Sequence, residues 1–135
     1  MKAAMVCAFA ALAGLCALAD VATVEGFTGA DHVETLQGSV YSFSDTAGGT
    51  LTLSRGGAID ILVVGGGGGG GYDVAGGGGA GGFVYEEDVE LPAGTYAIAV
   101  GAGGAWATGN SMTGESGGDS SISALSPFEG IVAYG

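Results

Sequence analysis

The chain has 135 residues, of which 31 are glycine and 2 are proline, and its 2 basic residues stand against 14 acidic ones for a formal net charge of −12. Glycine averages about 7% of ordinary sequences, and this chain has roughly three times that share. Its hydrophobic fraction of 47% is nevertheless too high for plain disorder. A collagen helix is excluded because it requires glycine at every third position together with abundant proline.

The first 19 residues are typical of a secretory signal peptide. Lys2 gives a basic start, residues 3–19 are uncharged, and Ala17-Leu18-Ala19 supplies small residues at the exit. We therefore expect cleavage between Ala19 and Asp20 and a protein that is secreted or held at the cell surface. A membrane anchor is the less favoured alternative, because a spanning helix needs about 20 strongly apolar residues and much of this run is alanine.

Cleavage would leave a strongly acidic chain without cysteine. Cys7 and Cys16 would depart with the leader, and lipid attachment at Cys16 is disfavoured because Leu15 stands where a small residue is expected. The remaining 116 residues would carry one cation, Arg55, against 14 acidic residues, a net charge of −13. Disulfides and thiolate metal sites would then be impossible, and nucleic acid and anionic membrane surfaces would be repelled.

The mature chain is predicted to form one all-β domain, with a lead-in at 20–39 and a glycine-rich β domain at 40–135. Alternating apolar residues predict strands at 40–44, 50–54, 59–64, 83–91 and 95–100. Turn residues between them predict two hairpins, one joining the first two strands and one joining the last two. The unbroken apolar run at 61–64 makes the third strand central. We expect a small antiparallel sheet or sandwich.

The 83–91 strand is predicted to have one apolar and one acidic face. Phe83, Tyr85, Val89 and Leu91 alternate with an acidic set that comprises Glu86, Asp88 and Glu90, and Glu87 falls on the apolar side. These carboxylates could ligate calcium, but alternation splits them between two faces, so a solvated strand that discourages edge pairing is favoured. No metal or other cofactor is expected.

A glycine tract interrupts this pattern. Residues 65–82 contain 13 glycines in 18 positions, and a helix there would cost about 1 kcal/mol per glycine relative to alanine. A flexible linker is one alternative. The apolar strands on both sides favour extended, polyglycine II-like segments that lack Cβ atoms and bond laterally through the backbone, with 101–104 as a short third segment.

Three four-residue apolar runs end in glycine, at Gly65, Gly101 and Gly135. Because the last of these stops where the first enters its glycine tract, we expect that the domain is truncated at Gly135 or that a glycine-rich continuation is missing.

Residues 43–82, followed by Pro92-Ala93-Gly94-Thr95-Tyr96 and Val100-Gly101-Ala102-Gly103-Gly104, resemble the glycine-rich domain of bacterial surface proteins and phage tail-fibre tips. The similarity extends over about residues 40–135. The resemblance implies a β-rich module with packed polyglycine strands, whose connecting loops can contact receptors in the phage examples. It carries over no functional residues, and the glycine runs here are shorter.

Two enzyme-like patterns are weak. Gly65-x-Gly67-x-x-Gly70 matches a dinucleotide fingerprint only formally, since no helix is predicted after it. Gly114-Glu115-Ser116-Gly117-Gly118 fits a nucleophile elbow, with His32 and Asp60 upstream, but it also lacks the helix that the motif requires. We interpret His32 as a solvated loop residue and expect no catalytic activity.

The expected function is therefore that of an exported, non-catalytic structural or adhesive surface module. The alternative is a ligand-binding tip in which the loops at 72–75 and 105–115 recognise a glycan or a protein. Tyr72 and Trp106 are the candidate contact residues because aromatic side chains dominate interface energetics; packing into a small core is their other interpretation. Expected partners are other copies of the chain or a surface glycan or protein.

Overall fold

Ten β-strands make up the regular structure in a computed structural model that describes residues 6–9, 22–35, 38–108 and 113–135. They are β1 (Val6–Phe9), β2 (Thr23–Thr28), β3 (Asp31–Thr35), β4 (Gly38–Phe43), β5 (Gly49–Arg55), β6 (Gly57–Val64), β7 (Phe83–Leu91), β8 (Gly94–Ala99), β9 (Ser120–Ile122) and β10 (Ile131–Ala133). Within those ranges, no helix has the length and apolar character needed to cross a bilayer.

The strands form two five-stranded antiparallel sheets, one in the order β3-β4-β1-β6-β7 and the other in the order β10-β9-β8-β5-β2. Alternate residues of β4, β5, β6 and β8 point into a shared core, as their two-residue burial pattern shows. The largest fully buried side chains include Phe43, Leu51, Ile61 and Tyr96, contributed by both sheets. The all-β antiparallel sandwich is confirmed, and β6 lies in the interior of its sheet as predicted.

Both predicted hairpins are wrong. β4 and β5 lie in different sheets, and so do β7 and β8. The turns at 44–48 and 92–93 therefore carry the chain from one sheet to the other. Alternation predicts which side chains are buried but not which sheet receives them, because facing strands of a sandwich bury the same kind of apolar stripe.

The faces of β7 also differ from the prediction. Asp88 has a positive φ of 53°, and the register of β7 against β6 shifts between Ile59 and Ile61. Such a bulge inserts an extra residue and reverses the alternation beyond it. As a result Leu91 is buried, whereas Phe83 and Tyr85 are exposed by 68% and 48%.

The predicted lead-in contributes one strand to each sheet. β2 pairs with β5, and β3 pairs with β4. His32 therefore lies on a strand, not in the predicted loop, and its ring stacks on Tyr41 at a centroid distance of 4.5 Å. Phe27 contacts both rings from the neighbouring sheet.

β1 lies inside the predicted leader. Its residues Val6–Phe9 pair with β4 on one side and with β6 on the other. The predicted cleavage site between Ala19 and Asp20 lies outside the described residues. Export and cleavage stay predictions, and removal of the leader would take one interior strand out of this sheet.

Candidate functional site: the glycine segments and their exposed end

Four glycine-rich segments extend from the sandwich without regular strand structure. The first, residues 65–71, follows β6, and the second, residues 76–82, leads into β7. The third, residues 101–107, follows β8, and the fourth, residues 114–118, leads towards β9.

The first and second segments are joined by backbone hydrogen bonds at every third residue. The N–H groups of Gly65, Gly68 and Gly71 donate to the carbonyl oxygens of Gly82, Gly79 and Gly76 at 2.8–2.9 Å. The partner numbers fall as the donor numbers rise, so the two segments run antiparallel.

The first segment bonds the other two segments with the same three-residue spacing. Gly66 and Gly69 donate to Gly118 and Glu115 of the fourth segment, at 2.9 and 2.8 Å. Gly67 and Gly70 accept from Gly104 and Ala107 of the third, which runs parallel to the first, at 2.8 and 2.9 Å. The third and fourth segments are also bonded to each other, through Glu115 N–H to Ala105 O and Gly118 N–H to Ala102 O. The first segment is thus surrounded by three hydrogen-bonded neighbours. In each group of three consecutive residues, one bonds the second segment, the next bonds the fourth and the last bonds the third.

Space for side chains follows the same period. A Cβ atom would approach a neighbouring backbone carbonyl to well under 3.0 Å at two positions three residues apart in each segment: Gly66 and Gly69, Gly78 and Gly81, Gly101 and Gly104, Gly114 and Gly117. Gly65, where the first segment leaves β6, is a further such position, because a Cβ atom there would meet the carbonyl oxygen of Tyr134. At intervening positions such as Gly70, Gly77 and Gly79 a Cβ atom would meet nothing closer than about 4.0 Å. Apart from Gly65, packing within the segments therefore demands glycine at every third residue and leaves room for side chains at positions such as Gly70, Gly77 and Gly79.

Sequence reasoning found the first three segments and missed the fourth. In the sequence, residues 114–118 resemble only a nucleophile elbow. The usable signal was the spacing, since Gly114-x-x-Gly117 repeats the Gly101-x-x-Gly104 spacing of the third segment.

Both predicted contact residues are exposed at the same end of the segments. Tyr72 lies in the turn between the first and second segments, which is closed by a hydrogen bond from Gly71 to Gly76. Trp106 lies next to Ala107, whose N–H donates to Gly70 O at 2.9 Å. The exposed fraction is 45% for Tyr72 and 72% for Trp106, and Val74 of the same turn is 90% exposed. We name these three side chains the tip.

The components of the enzyme-like patterns lie in unrelated settings. His32, on β3, packs against the aromatic rings of Phe27 and Tyr41. The Asp60 carboxylate accepts a hydrogen bond from the backbone N–H of Asp88 at 2.9 Å. Ser116 belongs to the fourth glycine segment, and β9 follows it, not a helix. The first glycine segment likewise ends in the turn at Tyr72 and not in the helix of a dinucleotide site.

The acidic strand β7 lies at an edge of its sheet. Glu86, Glu87, Asp88 and Glu90 are all exposed. The Tyr85 hydroxyl donates to Glu87 Oε1 at 3.0 Å, and this bond is the main cause that raises the pKa of Tyr85. Among the described residues, no three His, Cys, Asp or Glu side chains are grouped so that they could hold a metal ion.

A groove of about 260 Å³ runs along the glycine segments. Gly68 and Gly69 of the first segment line it, together with Gly79 and Ala80 of the second and residues 114–117 of the fourth. Gly135 also lines the groove.

A family model for a glycine-rich domain matches residues 44–135, which cover most of the sandwich and all four glycine segments. No curated protein matches the chain, and no solved structure matches it either. On the strength of that match, the chain belongs to the glycine-rich domain family.

Proposed function

We propose that the protein is an exported, non-catalytic surface module with a structural or adhesive role, in which the glycine segments form a rigid polyglycine II-like bundle. The observation that carries the proposal is the three-residue period shared by the hydrogen bonds and the close contacts. A left-handed threefold helix has three residues per turn and no internal hydrogen bonds, so its N–H and carbonyl groups are available to neighbours in three directions.

A rigid bundle suits a structural role better than a linker does. A glycine-rich linker behaves as a flexible coil whose backbone groups bond to water. Here the first segment is held by seven backbone hydrogen bonds to its three neighbours, at Gly65, Gly66, Gly67, Gly68, Gly69, Gly70 and Gly71. Because glycine loses the most backbone freedom on ordering, the many lateral bonds are what would offset that loss.

Amide hydrogen exchange on the purified exported protein tests the bundle. We expect the N–H groups of Gly68 and Gly69 to exchange far more slowly than that of Val74, which lies in the exposed turn and serves as the internal control. Exchange at Gly68 and Gly69 as fast as at Val74 would show a flexible tether. N-terminal sequencing of the same material tests export, with Asp20 expected as the first residue.

A ligand-binding tip is the second candidate function. It is favoured by the exposure of Tyr72, Val74 and Trp106 at one end of the segments, because exposed aromatic side chains provide large contact areas at interfaces. A rigid bundle would hold these side chains away from the sandwich.

Binding to a glycan array and to whole cells tests the tip. We expect Tyr72→Ala and Trp106→Ala each to reduce any binding at least tenfold without changing the melting temperature. Tyr134→Ala is the matched control, because Tyr134 is 70% exposed but lies where Gly82 enters the sandwich, at the other end of the segments. Equal losses in all three variants, or none in any, would contradict a tip and leave the structural role.

A further inference from the structure

We propose that the groove beside the second glycine segment binds one extended peptide strand with glycine at every third residue, supplied by another polypeptide. This inference rests on the proposed bundle. The second segment forms one wall of the groove with Gly79 and Ala80, the fourth forms the other with Ser116 and Gly117, and the first lies between them.

The second segment has one backbone N–H group, that of Gly79, on the side of the groove and without an acceptor among the described residues. Its carbonyl groups at Gly76, Gly79 and Gly82 all bond to the first segment, so directions along it repeat every third residue. The N–H of Gly82 donates to Tyr134 O at 2.6 Å. By the same repeat the N–H of Gly79 points to the side on which Tyr134 lies, and no described residue accepts a hydrogen bond from it.

The opposite wall offers further donors. Among the described residues, none accepts a hydrogen bond from the backbone N–H of Ser116 or of Gly117. An extended strand between the walls could accept from both sides through its carbonyl groups. The groove thus presents the kind of donors that already join the four segments to one another.

A strand of this molecule already occupies the mouth of the groove. Tyr134 accepts from Gly82, and the N–H of Gly135 donates to Asp119 Oδ1 at 3.0 Å. A Cβ atom on Gly135 would approach the carbonyl group of Gly117 to well under 3.0 Å. Gly135, which lies beside the fourth segment, therefore obeys the same steric rule as the bundle. A strand in the rest of the groove would continue the contact that Tyr134 and Gly135 already make with the second and fourth segments.

The steric rule and the charge together define the occupant. Glycine is required wherever the strand passes a wall carbonyl, and two positions of every three remain open to small side chains. An acidic strand is disfavoured because Glu115 lines the groove and the chain has a net charge of −12. The occupant is therefore a neutral or basic extended segment with the spacing Gly-x-x-Gly.

Titration of the exported protein with two peptides tests the proposal. The probe is Gly-Ala-Gly-Gly-Ala-Trp-Ala, the sequence of residues 101–107, and the control is Ala-Ala-Gly-Ala-Ala-Trp-Ala, which differs only at the two positions that demand glycine. Nuclear magnetic resonance follows the N–H of Gly79. Trp106 is the single tryptophan of the chain, so the tryptophan-free variant Trp106→Phe permits fluorescence anisotropy of the tryptophan in the peptide. We expect saturable binding of the probe, slower exchange at Gly79, and at least tenfold weaker binding of the control.

Two variants of the second segment locate the binding. In the threefold repeat a side chain at Gly79 points as at Gly82, towards the groove, whereas one at Gly77 points elsewhere, and a Cβ atom at Gly77 or at Gly79 meets nothing within 4 Å. Gly79→Leu should therefore abolish probe binding and Gly77→Leu should preserve it, with both variants folded. Equal binding of the two peptides, or binding unaffected by Gly79→Leu, overturns the proposal.

The remaining outcomes separate this inference from the proposed function. Self-association of the chain that Gly79→Leu abolishes would show that a second copy occupies the groove and would overturn the choice of another polypeptide. Protected amides at Gly68 and Gly69 without probe binding would overturn peptide binding in the groove and leave the proposed bundle standing. Unprotected amides at those two residues would overturn the bundle itself.

Discussion

At the scale of single residues, neighbouring glycines of the first segment have different requirements. A Cβ atom on Gly69 would clash with the carbonyl of Ala105, whereas one on Gly70 would meet only atoms of Gly76 and Gly78 at 4.0 Å. We expect Gly69→Ala to lower the free energy of unfolding by about 1–3 kcal/mol, the usual range for overpacking. Gly70→Ala should change it little or raise it by about 0.4–1 kcal/mol, because alanine restricts the unfolded chain.

Urea unfolding of the two alanine variants measures this difference. Since both substitutions add one methyl group to adjacent positions of the same run, Gly70→Ala controls for composition and for effects on the unfolded state. Equal destabilisation by the two variants would be incompatible with the threefold packing.

Tyr96 gives the core a dependence on alkaline pH. Its side chain is fully buried, and its hydroxyl donates to Pro92 O at 2.7 Å. Burial raises the pKa of Tyr96 above its ordinary value of 10.0. The neutral form is thus favoured in the folded state, so its contribution to stability is complete below pH 10 and declines as the pH rises through 10 towards the folded-state pKa.

Tyr96→Phe should reduce this dependence. At pH 7 we expect a loss of about 1 kcal/mol, because the carbonyl of Pro92 loses its donor. Between pH 9.5 and 11 the variant should lose less stability than the parent chain in urea unfolding. Parallel pH profiles for the two proteins would show that Tyr96 does not titrate with unfolding.

At the scale of elements, the sequence predicts strands better than it predicts their neighbours. Alternation locates the interiors of β4, β5, β6 and β8 and the residues they bury. It cannot distinguish a hairpin turn from a crossing between sheets, because both need only polar and glycine residues. Alternation also does not predict the bulge at Asp88, because the bulge depends on the positive φ of a residue that is not glycine.

The glycine segments show a comparable limit. Their extended, laterally bonded character follows from the absence of side chains between apolar strands. The register between the segments cannot be predicted from the sequence. A run such as 65–71 has glycine at every position, so the sequence does not show at which of them packing requires glycine. The exposure of Tyr72 and Trp106 could be predicted because they interrupt glycine-rich sequence, and their role in contacts stays a prediction. The groove could not be predicted because it depends on which segments are neighbours.

β1 provides a test at the same scale. In a chain that begins at Asp20, β4 and β6 would lack the strand that pairs with both. We expect the amides of residues 40–43 and 60–62 that face this position to exchange faster than in the full chain, while those of β5 and β8 keep their protection. Unchanged exchange in β4 and β6 would mean that the mature sheet is complete without Val6–Phe9.

At the scale of the whole molecule, net charge opposes the compact state. Fourteen acidic residues against two basic ones leave most carboxylates unbalanced, and β7 places four of them in one edge strand. Self-repulsion of this kind destabilises folding and protects against association. It is also screened by salt, because the Debye length falls from about 30 Å at 0.01 M to about 10 Å at 0.1 M ionic strength.

Stability should therefore rise with ionic strength. We expect the melting temperature to increase as sodium chloride is raised from 10 to 150 mM, by roughly 4 °C for each kcal/mol of repulsion that is screened. A chain with Glu86→Gln and Glu90→Gln, both exposed on β7, should melt higher than the parent at 10 mM and respond less to salt. If the two chains respond equally, the repulsion is spread over the molecule and the acidic edge serves only to prevent pairing between strands.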